Sequence, residues 1–302
     1  MENLNFYAKE CLSVMKSTKN ISEYSCLAYN SDLNDFIKVC SGEIDNDVLV
    51  KYVSHLSQDR RLSDTTISRK LITLKMFFEY LYNKNLIEEN YYQNCHFKFR
   101  KERRLPKTLT KNEIAELLKT ATEERNSAKS NPEISRTSRN LALIDILIST
   151  GIRIGEASSI SLDDIIDSER TLLIHGKGRK QRLIYISCDE TWNNLDQWLN
   201  IRKEMNISTD KLFVNRAGNQ LGIHGIEYIY KQIKEHARIN PSSTPHYLRH
   251  TFATNLLSNG ADLRSVQELL GHSSVAITEI YTEITTQRKK EVLDKYNPRN
   301  NL

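Results

Sequence analysis

The stretch "TPHYLRHTFATNLLSNG", residues 244–260, places two histidines and an arginine within five positions of a proline, in a chain of 302 residues that has only 8 His and 5 Pro. Thr244 followed by Pro245 marks a helix start, because threonine accepts from free first-turn amides and proline fits the first helical position. His246 and Arg249 are three apart and share one face of that first turn. There the unpaired N–H groups and the positive end of the helix dipole favour an anion such as phosphate. His250 points elsewhere, toward the side of Phe252 and Ala253, and reads as a supporting residue. Alone, the segment fits equally an amphipathic helix whose His and Arg face water or pair with acids, so the surrounding sequence has to decide.

Downstream, "DLRSVQELLGHSS" (262–274) reads as a helix ended by Gly271, a residue type suited to the left-handed position just past a helix. His272 then falls in a tight turn, with Ser273 or Ser274 capping the next segment. "VAITEIYTEI" (275–284) carries Tyr281, one of 14 tyrosines, nine residues after His272. Upstream, "STGIRIGEASSI" (149–160) puts Arg153 after a glycine break, with Glu156 three residues on and able to orient it from the same helical face. "RTLLIHGKGRKQRLIYIS" (170–187) has two β-rich runs around G-K-G and reads as a hairpin with a basic tip, Lys177 standing between Gly176 and Gly178. A single lysine in a turn is ordinarily solvated and a single tyrosine ordinarily packed; the weight lies in the ensemble.

The rest of the chain reads as two domains. Before residue 98 come helices separated by short polar turns. Residues 22–40 carry Leu27, Leu33, Phe36, Ile37 and Cys40 at helical spacing; residues 47–56 repeat the pattern. Residues 63–85 carry the stripe Ile67, Leu71, Leu74, Phe77, Phe78 and Leu81 behind Ser63 or Asp64 as cap. "KFRKERRLPK" (98–107) holds six Lys or Arg against one Glu, and reads either as a solvated linker or as a strip along a phosphate backbone. "TKNE" (110–113) has the capping-box form that opens a new helix. "RNSAKSNPEISRTS" (125–138) reads as an exposed loop, followed by the apolar helix "RNLALIDILIST". "KLFVN" (211–215) reads as a short extended piece, and the remainder as helical to about Tyr296. The divisions expected are 1–97, a linker 98–108, and 109–302.

Bulk properties exclude several classes. A hydrophobic content of 39% and a mean hydropathy of −0.54 suit a soluble globular protein. The longest apolar runs, such as "LALIDILI" (141–148), fall short of the roughly 18–20 residues a membrane helix needs. "MENLNFYAKECLSVMK" lacks the basic start, apolar stretch and cleavage site of a secretory signal. A cytoplasmic protein without a membrane partner is expected. The five cysteines are widely spaced and never form C-x-x-C, which implies reduced thiols with neither a disulfide framework nor a zinc site. The net charge of +5 is too mild to identify a nucleic-acid partner by itself.

Arg153, Lys177, His246, Arg249, His272 and Tyr281, in that order, closely resemble the site of the tyrosine recombinase (lambda-integrase) family, and the short two-domain build resembles its Xer-type members. The matching stretches are "TGIRIGEA", "HGKGRKQR", "PHYLRHTFAT" and "LLGHSSVAITEIYT"; "SDTTISRKLITLKMFFEYL" resembles the family's helical core-binding domain. The resemblance implies a mostly α fold: an all-helical, SAM-like N-terminal domain, then a mainly helical α+β catalytic domain with a small antiparallel sheet. It implies that Arg153 and Arg249 clamp one DNA phosphate, that Tyr281 attacks the phosphorus, and that His246 assists the phenol. It further implies that His272 donates to a phosphate oxygen and that Lys177 protonates the departing 5′-oxygen, with Glu156 and His250 in support. No metal or other cofactor is expected, since the arginines supply the charge that divalent ions supply in many nucleases.

Double-stranded DNA at a recombination site is the implied partner. Arg69, Lys70, Lys75, Lys98, Arg100, Lys101, Arg103, Arg104 and Arg179 are the candidate DNA contacts. The implied assembly is a homo-tetramer on two sites, with exchange of a C-terminal helix, and a second recombinase or accessory protein as further candidates. The basic amphipathic segment "TTQRKKEVLDKY", with Val292 and Leu293, is compatible with docking either on a neighbouring subunit or on its own chain. Ile277 and Glu283 stand where the family often has threonine and histidine, which affects packing and leaves the six chemical positions filled. Two other readings share these features: a type IB topoisomerase, and a DNA-binding protein without catalysis.

Overall fold

The computed structural model describes all residues except 1, 20, 22, 41–43, 46, 96, 98–106, 177–179, 206 and 272–285. The chain divides into two compact units, Met1–Arg104 and Leu105–Leu302.

The regular structure among the first unit's described residues is helical, with α1 (Glu2–Lys19), α2 (Glu23–Val39), α3 (Val48–Ser54), a π-helical turn His55–Asp59 and α4 (Asp64–Asn83) joined by turns. α1, unread in the sequence, buries Leu4, Ala8, Cys11, Leu12 and Met15. Their spacing of three and four residues is that of one helix face. Ser63 caps α4, its hydroxyl accepting from the Thr66 amide, and all six residues of the expected stripe are buried. In α2, Leu33, Phe36 and Ile37 are buried, but Leu27 is 66% exposed; six residues from Leu33, it turns off the apolar face.

Beneath these helices lies a charged cluster. Asp32, 1% exposed, accepts a two-pronged bond from Arg69 at 2.6 and 2.7 Å, one from Lys70 at 3.2 Å and one from Thr73 at 2.9 Å. Lys70 also reaches Asp35 at 2.8 Å. The expectation that Lys70 contacts DNA is therefore corrected: its ammonium is buried between two carboxylates. Arg69 gives its fork to Asp32 while its side chain stays 48% exposed, and Lys75 is exposed outside the cluster.

The second unit contains α5 (Lys111–Ser127), α6 (Asn131–Thr150), α7 (Ile154–Ser159), a sheet, α8 (Asp189–Glu204), α9 (Ile223–His236), α10 (Pro245–Ser258), α11 (Leu263–Leu270) and α12 (Thr286–Tyr296). α6 is its centre, packed against α5, α8 and α10, which is why Leu141–Ile148 is buried on every side. Thr110 and Glu113 form the expected reciprocal cap of α5. The expected loop at 125–138 is corrected: only residues 128–130 separate α5 from α6. Glu133 accepts from the amides of Lys129 and Ser130, both at 3.2 Å, so "SNPE" opens a helix, with Pro132 where the missing N–H does no harm.

The sheet has strands β1 (Ile165–Ile166), β2 (Thr171–His175) and β3 (Gln181–Tyr185) in antiparallel order β1-β2-β3, with Leu172 opposite Ile184 and His175 opposite Gln181. Leu172, Ile174, Ile184 and Ile186 point into the core, so β2 and β3 form the expected antiparallel pair with one face packed; residues 177–179 between them lie outside the described residues. α12 buries Val292 and Leu293 against the same unit. The tail beyond it is pinned: Asn297 donates to the Ser149 carbonyl at 2.7 Å, and Arg299 pairs with Asp145 at 2.9 Å and Glu190 at 2.8 Å. In the single chain described, this C-terminal segment packs on the second unit.

Candidate active site

α6 ends at Gly151, whose φ of +61° is a left-handed conformation open to glycine. A Cβ there would lie 2.4 Å from the Phe252 ring, so glycine also allows α10 to approach. The chain turns, and Arg153 stands at the N-cap of α7. Glu156, in the first turn of α7, accepts from the Arg153 amide at 2.9 Å and from its guanidinium at 2.8 Å. The pairing expected from the three-residue spacing is present, and it holds an arginine whose side chain remains 41% exposed.

α10 starts at Pro245, as the Thr-Pro pair predicts, although the Thr244 side chain makes no capping bond. Arg249, 4% exposed, donates to the Gly151 carbonyl at 2.8 Å and to the Leu270 carbonyl at 2.6 Å. Both acceptors are carbonyls at helix ends, which lack partners within their own helices. Neutral acceptors leave the guanidinium charge uncancelled. Burial, followed by the nearby Arg153, draws its pKa down to about 10, still cationic at neutral pH.

His246 is exposed at the start of α10, and its ring meets that of His250 edge to face at 4.5 Å between centroids. His250 therefore does not turn away as expected: four residues on, it lies over His246 on the same face. Burial, then His250, Arg249 and Arg153, hold the His246 pKa below the ordinary histidine value. His250 is depressed by burial and Arg249. Both imidazoles are neutral at pH 7, and His246 is thus a proton acceptor beside two cationic arginines.

Two features escaped the sequence reading. Arg182 on β3, with a side chain only 8% exposed, gives two bonds to Glu156 at 2.7 and 3.1 Å and a third to the Leu269 carbonyl at 2.8 Å. Its register was available as a signal, since it shares strand parity with the buried Ile184 and Ile186. His175, at the base of the hairpin, pairs with Asp164 at 2.7 Å and Gln181 at 3.2 Å. Burial raises the Glu156 carboxyl, but Arg182 and then Arg153 outweigh it, so the group lies below its ordinary range and is ionised.

The structure thus brings together Arg153, Glu156, His246, Arg249 and His250, drawn from two helix starts. Lys177, Arg179, His272 and Tyr281 lie outside the described residues, as do Lys98, Arg100, Lys101, Arg103 and Arg104. What is described is a cationic cluster with one balanced carboxylate and a neutral imidazole, an arrangement suited to holding a phosphodiester and taking a proton.

Comparison with known proteins agrees with this chemistry. Residues 107–288 match the phage integrase family, and residues 9–85 match the phage integrase N-terminal SAM-like domain. Tyrosine recombinase XerC of Listeria monocytogenes (serovar 1/2a) is 35% identical, over 94% of this chain and 95% of the relative. XerC of Bacillus subtilis is 33% identical, over 99% of this chain and 98% of the relative. The crystal structure of XerH site-specific recombinase bound to difH substrate, a pre-cleavage complex, superposes with a TM-score of 0.68 at 26% identity, covering 88% of this chain and 79% of that one. The chain belongs to the phage integrase family, that of the tyrosine recombinases.

Proposed function

We propose that this chain is a site-specific DNA recombinase that works through a 3′-phosphotyrosyl intermediate at Tyr281. The observation that carries the reading is the pair of guanidinium groups, Arg153 and Arg249, kept side by side against their mutual repulsion by Glu156 and by the carbonyls of Gly151 and Leu270. Preorganised like charges of this kind fit a phosphate whose negative charge grows as phosphorus becomes five-coordinate. In the reaction the Tyr281 oxygen bonds to phosphorus as the bond from phosphorus to the 5′-oxygen breaks. Neutral His246 takes the phenolic proton, Lys177 supplies a proton to the departing 5′-oxygen, and His272 donates to a phosphate oxygen.

The link replaces one phosphoester by another, so it retains the energy needed for a 5′-hydroxyl of a second duplex to reverse the step. Exchange of both strands between two duplexes proceeds through a Holliday junction and requires one tyrosine per cut strand, hence a homo-tetramer on two DNA sites. Residues 1–97 and 109–302 act as the DNA-binding and catalytic domains, with the basic segment 98–108 along the backbone. Lys98, Arg100, Lys101, Arg103, Arg104 and Arg179, with Lys75, provide phosphate contacts, and affinity falls steeply with salt. A DNA substrate of this kind places the protein in the cytoplasm.

The test is a suicide substrate, nicked beside a candidate cleavage position so that the released 5′ fragment diffuses away. The wild-type chain is expected to trap a covalent adduct that Tyr281→Phe does not form. No adduct from either protein refutes the reading. An adduct without strand exchange between two sites would instead indicate DNA relaxation of the topoisomerase kind.

A further inference from the structure

Glu156 has both oxygens filled. Oε1 accepts from Arg153 Nη1 at 2.8 Å and Arg182 Nη1 at 3.1 Å; Oε2 accepts from the Arg153 amide at 2.9 Å and Arg182 Nη2 at 2.7 Å. Those four donors occupy the lone-pair positions a carboxylate offers. The carboxylate and Arg182 are nearly inaccessible, at 6% and 8%, whereas Arg153 opens to solvent at 41%. The arrangement is asymmetric: Arg182 cannot itself present its fork to a substrate, and Arg153 can.

We infer that Arg182 is a positioning residue for the phosphate clamp: it neutralises Glu156, so that Glu156 can aim Arg153 without cancelling the charge Arg153 brings to DNA. The trio of Arg153, Glu156 and Arg182 carries one net positive charge, and without Arg182 it would carry none. A lone Glu156–Arg153 pair would be well oriented and electrostatically spent. The third bond of Arg182, from Nε to the Leu269 carbonyl, reaches the last turn of α11, one residue before the carbonyl that Arg249 uses. Arg182 therefore also ties the segment that supports Arg249 to the one that carries Arg153. Gly271 reserves the space for this contact, since a Cβ at that position would stand 2.9 Å from Arg182 Nη1.

The inference rests on the proposed Tyr281 chemistry and is tested so that the two can fail separately. The measurement is the single-turnover rate of adduct formation on the suicide substrate at saturating DNA, with DNA affinity measured alongside. Arg182→Gln is expected to slow cleavage on the order of 10²-fold, the size of effect that misplacing a reacting group produces. DNA affinity, set by many phosphate contacts, is expected to change less than about threefold. The decisive variant is Glu156→Gln with Arg182→Gln, which restores the net charge beside the phosphate: it is expected to cleave at least about tenfold faster than Arg182→Gln alone. A buried ion pair that served stability only would make the double variant no faster than the single one, and that result would overturn the inference. So would an Arg182→Gln rate within about twofold of wild type. If Arg182→Gln does not fold, Arg182→Lys carries the test, with cleavage within about tenfold of wild type expected because the charge is kept; a loss as deep as 10²-fold in that folded variant refutes the charge argument. A wild-type chain that forms no Tyr281 adduct defeats the functional reading itself, and this inference with it.

Discussion

Arg299→Ala asks how firmly the end of the chain is held. Arg299 is 6% exposed and Asp145, in the middle of α6, is fully buried. Truncating the arginine leaves a carboxylate with no access to water and with two neutral donors, Thr191 at 2.9 Å and Asn194 at 2.8 Å. Breaking a buried pair from one side costs about 3–5 kcal/mol. The surviving hydrogen bonds place this case at the lower end, about 3 kcal/mol. For a unit of about 200 residues, each kcal/mol moves the midpoint by about 2–4 °C, so the melting transition of the second unit should fall by roughly 6–12 °C. Differential scanning calorimetry separates that transition from the helical first unit. Replacing Asp145 and Arg299 together by leucine should recover much of the loss, because no charge is then stranded. Docking on the same chain also makes the shift independent of protein concentration, whereas a tail held by a neighbouring subunit would give a midpoint that rises with concentration. A change of less than about 2 °C for Arg299→Ala would refute the claim that this pair pins the tail.

Gly151→Ala should cost about 2–4 kcal/mol, combining left-handed backbone strain with overlap on the Phe252 ring. It should also slow cleavage, since the Gly151 carbonyl positions Arg249; a variant that melts and cleaves like wild type contradicts the geometry. The His246 pKa is lowered, so its neutral form persists to below the ordinary value of about 6.5. The cleavage rate should therefore hold through that pH and fall only on further acidification, and His246→Asn should lack that limb of the pH–rate profile. The stability His246 contributes runs the same way, being present above pH ~6.5 and lost on acidification. Asp32→Ala should destabilise the first unit by about 1–2 kcal/mol, less than a stranded buried charge would cost, because Lys70 keeps Asp35 at 2.8 Å and Arg69 opens to water. Lys75→Ala should leave melting unchanged and reduce the salt dependence of DNA binding by about one phosphate contact.

Local signals carried the helical reading well where caps and periodicity agreed. The stripe of α4, the Thr110–Glu113 cap and the Gly151 and Gly271 stops all depend on neighbours within a few residues, and each is present in the structure. The failures arose where two local signals competed or where the partner lay far away in sequence. Residues 125–138 are polar and contain a proline, which suggested a loop; the S-N-P-E order inside them is a helix start, and capping chemistry outweighed composition. Lys70 looked like a free cation on a basic helix, but its fate depended on Asp32 and Asp35, more than thirty residues away.

In the proposed site, Arg153, His246 and Arg249 stand out in the sequence because phosphate chemistry draws on a few residue types in compact motifs, and the structure brings these three together. The groups that hold them were much harder to read. Arg249 is fixed by the Gly151 and Leu270 carbonyls, and Arg182 in part by that of Leu269. A backbone carbonyl belongs to every residue, so no residue type advertises that role. What singles these carbonyls out is their position just past α6 or in the last turn of α11, where helical hydrogen bonding leaves acceptors open. The same helix ends that punctuate the fold thus supply acceptors for Arg249 and Arg182. A helix stop leaves an open carbonyl, and a neutral carbonyl orients a guanidinium without cancelling its charge, as the Gly151 and Leu270 carbonyls do for Arg249.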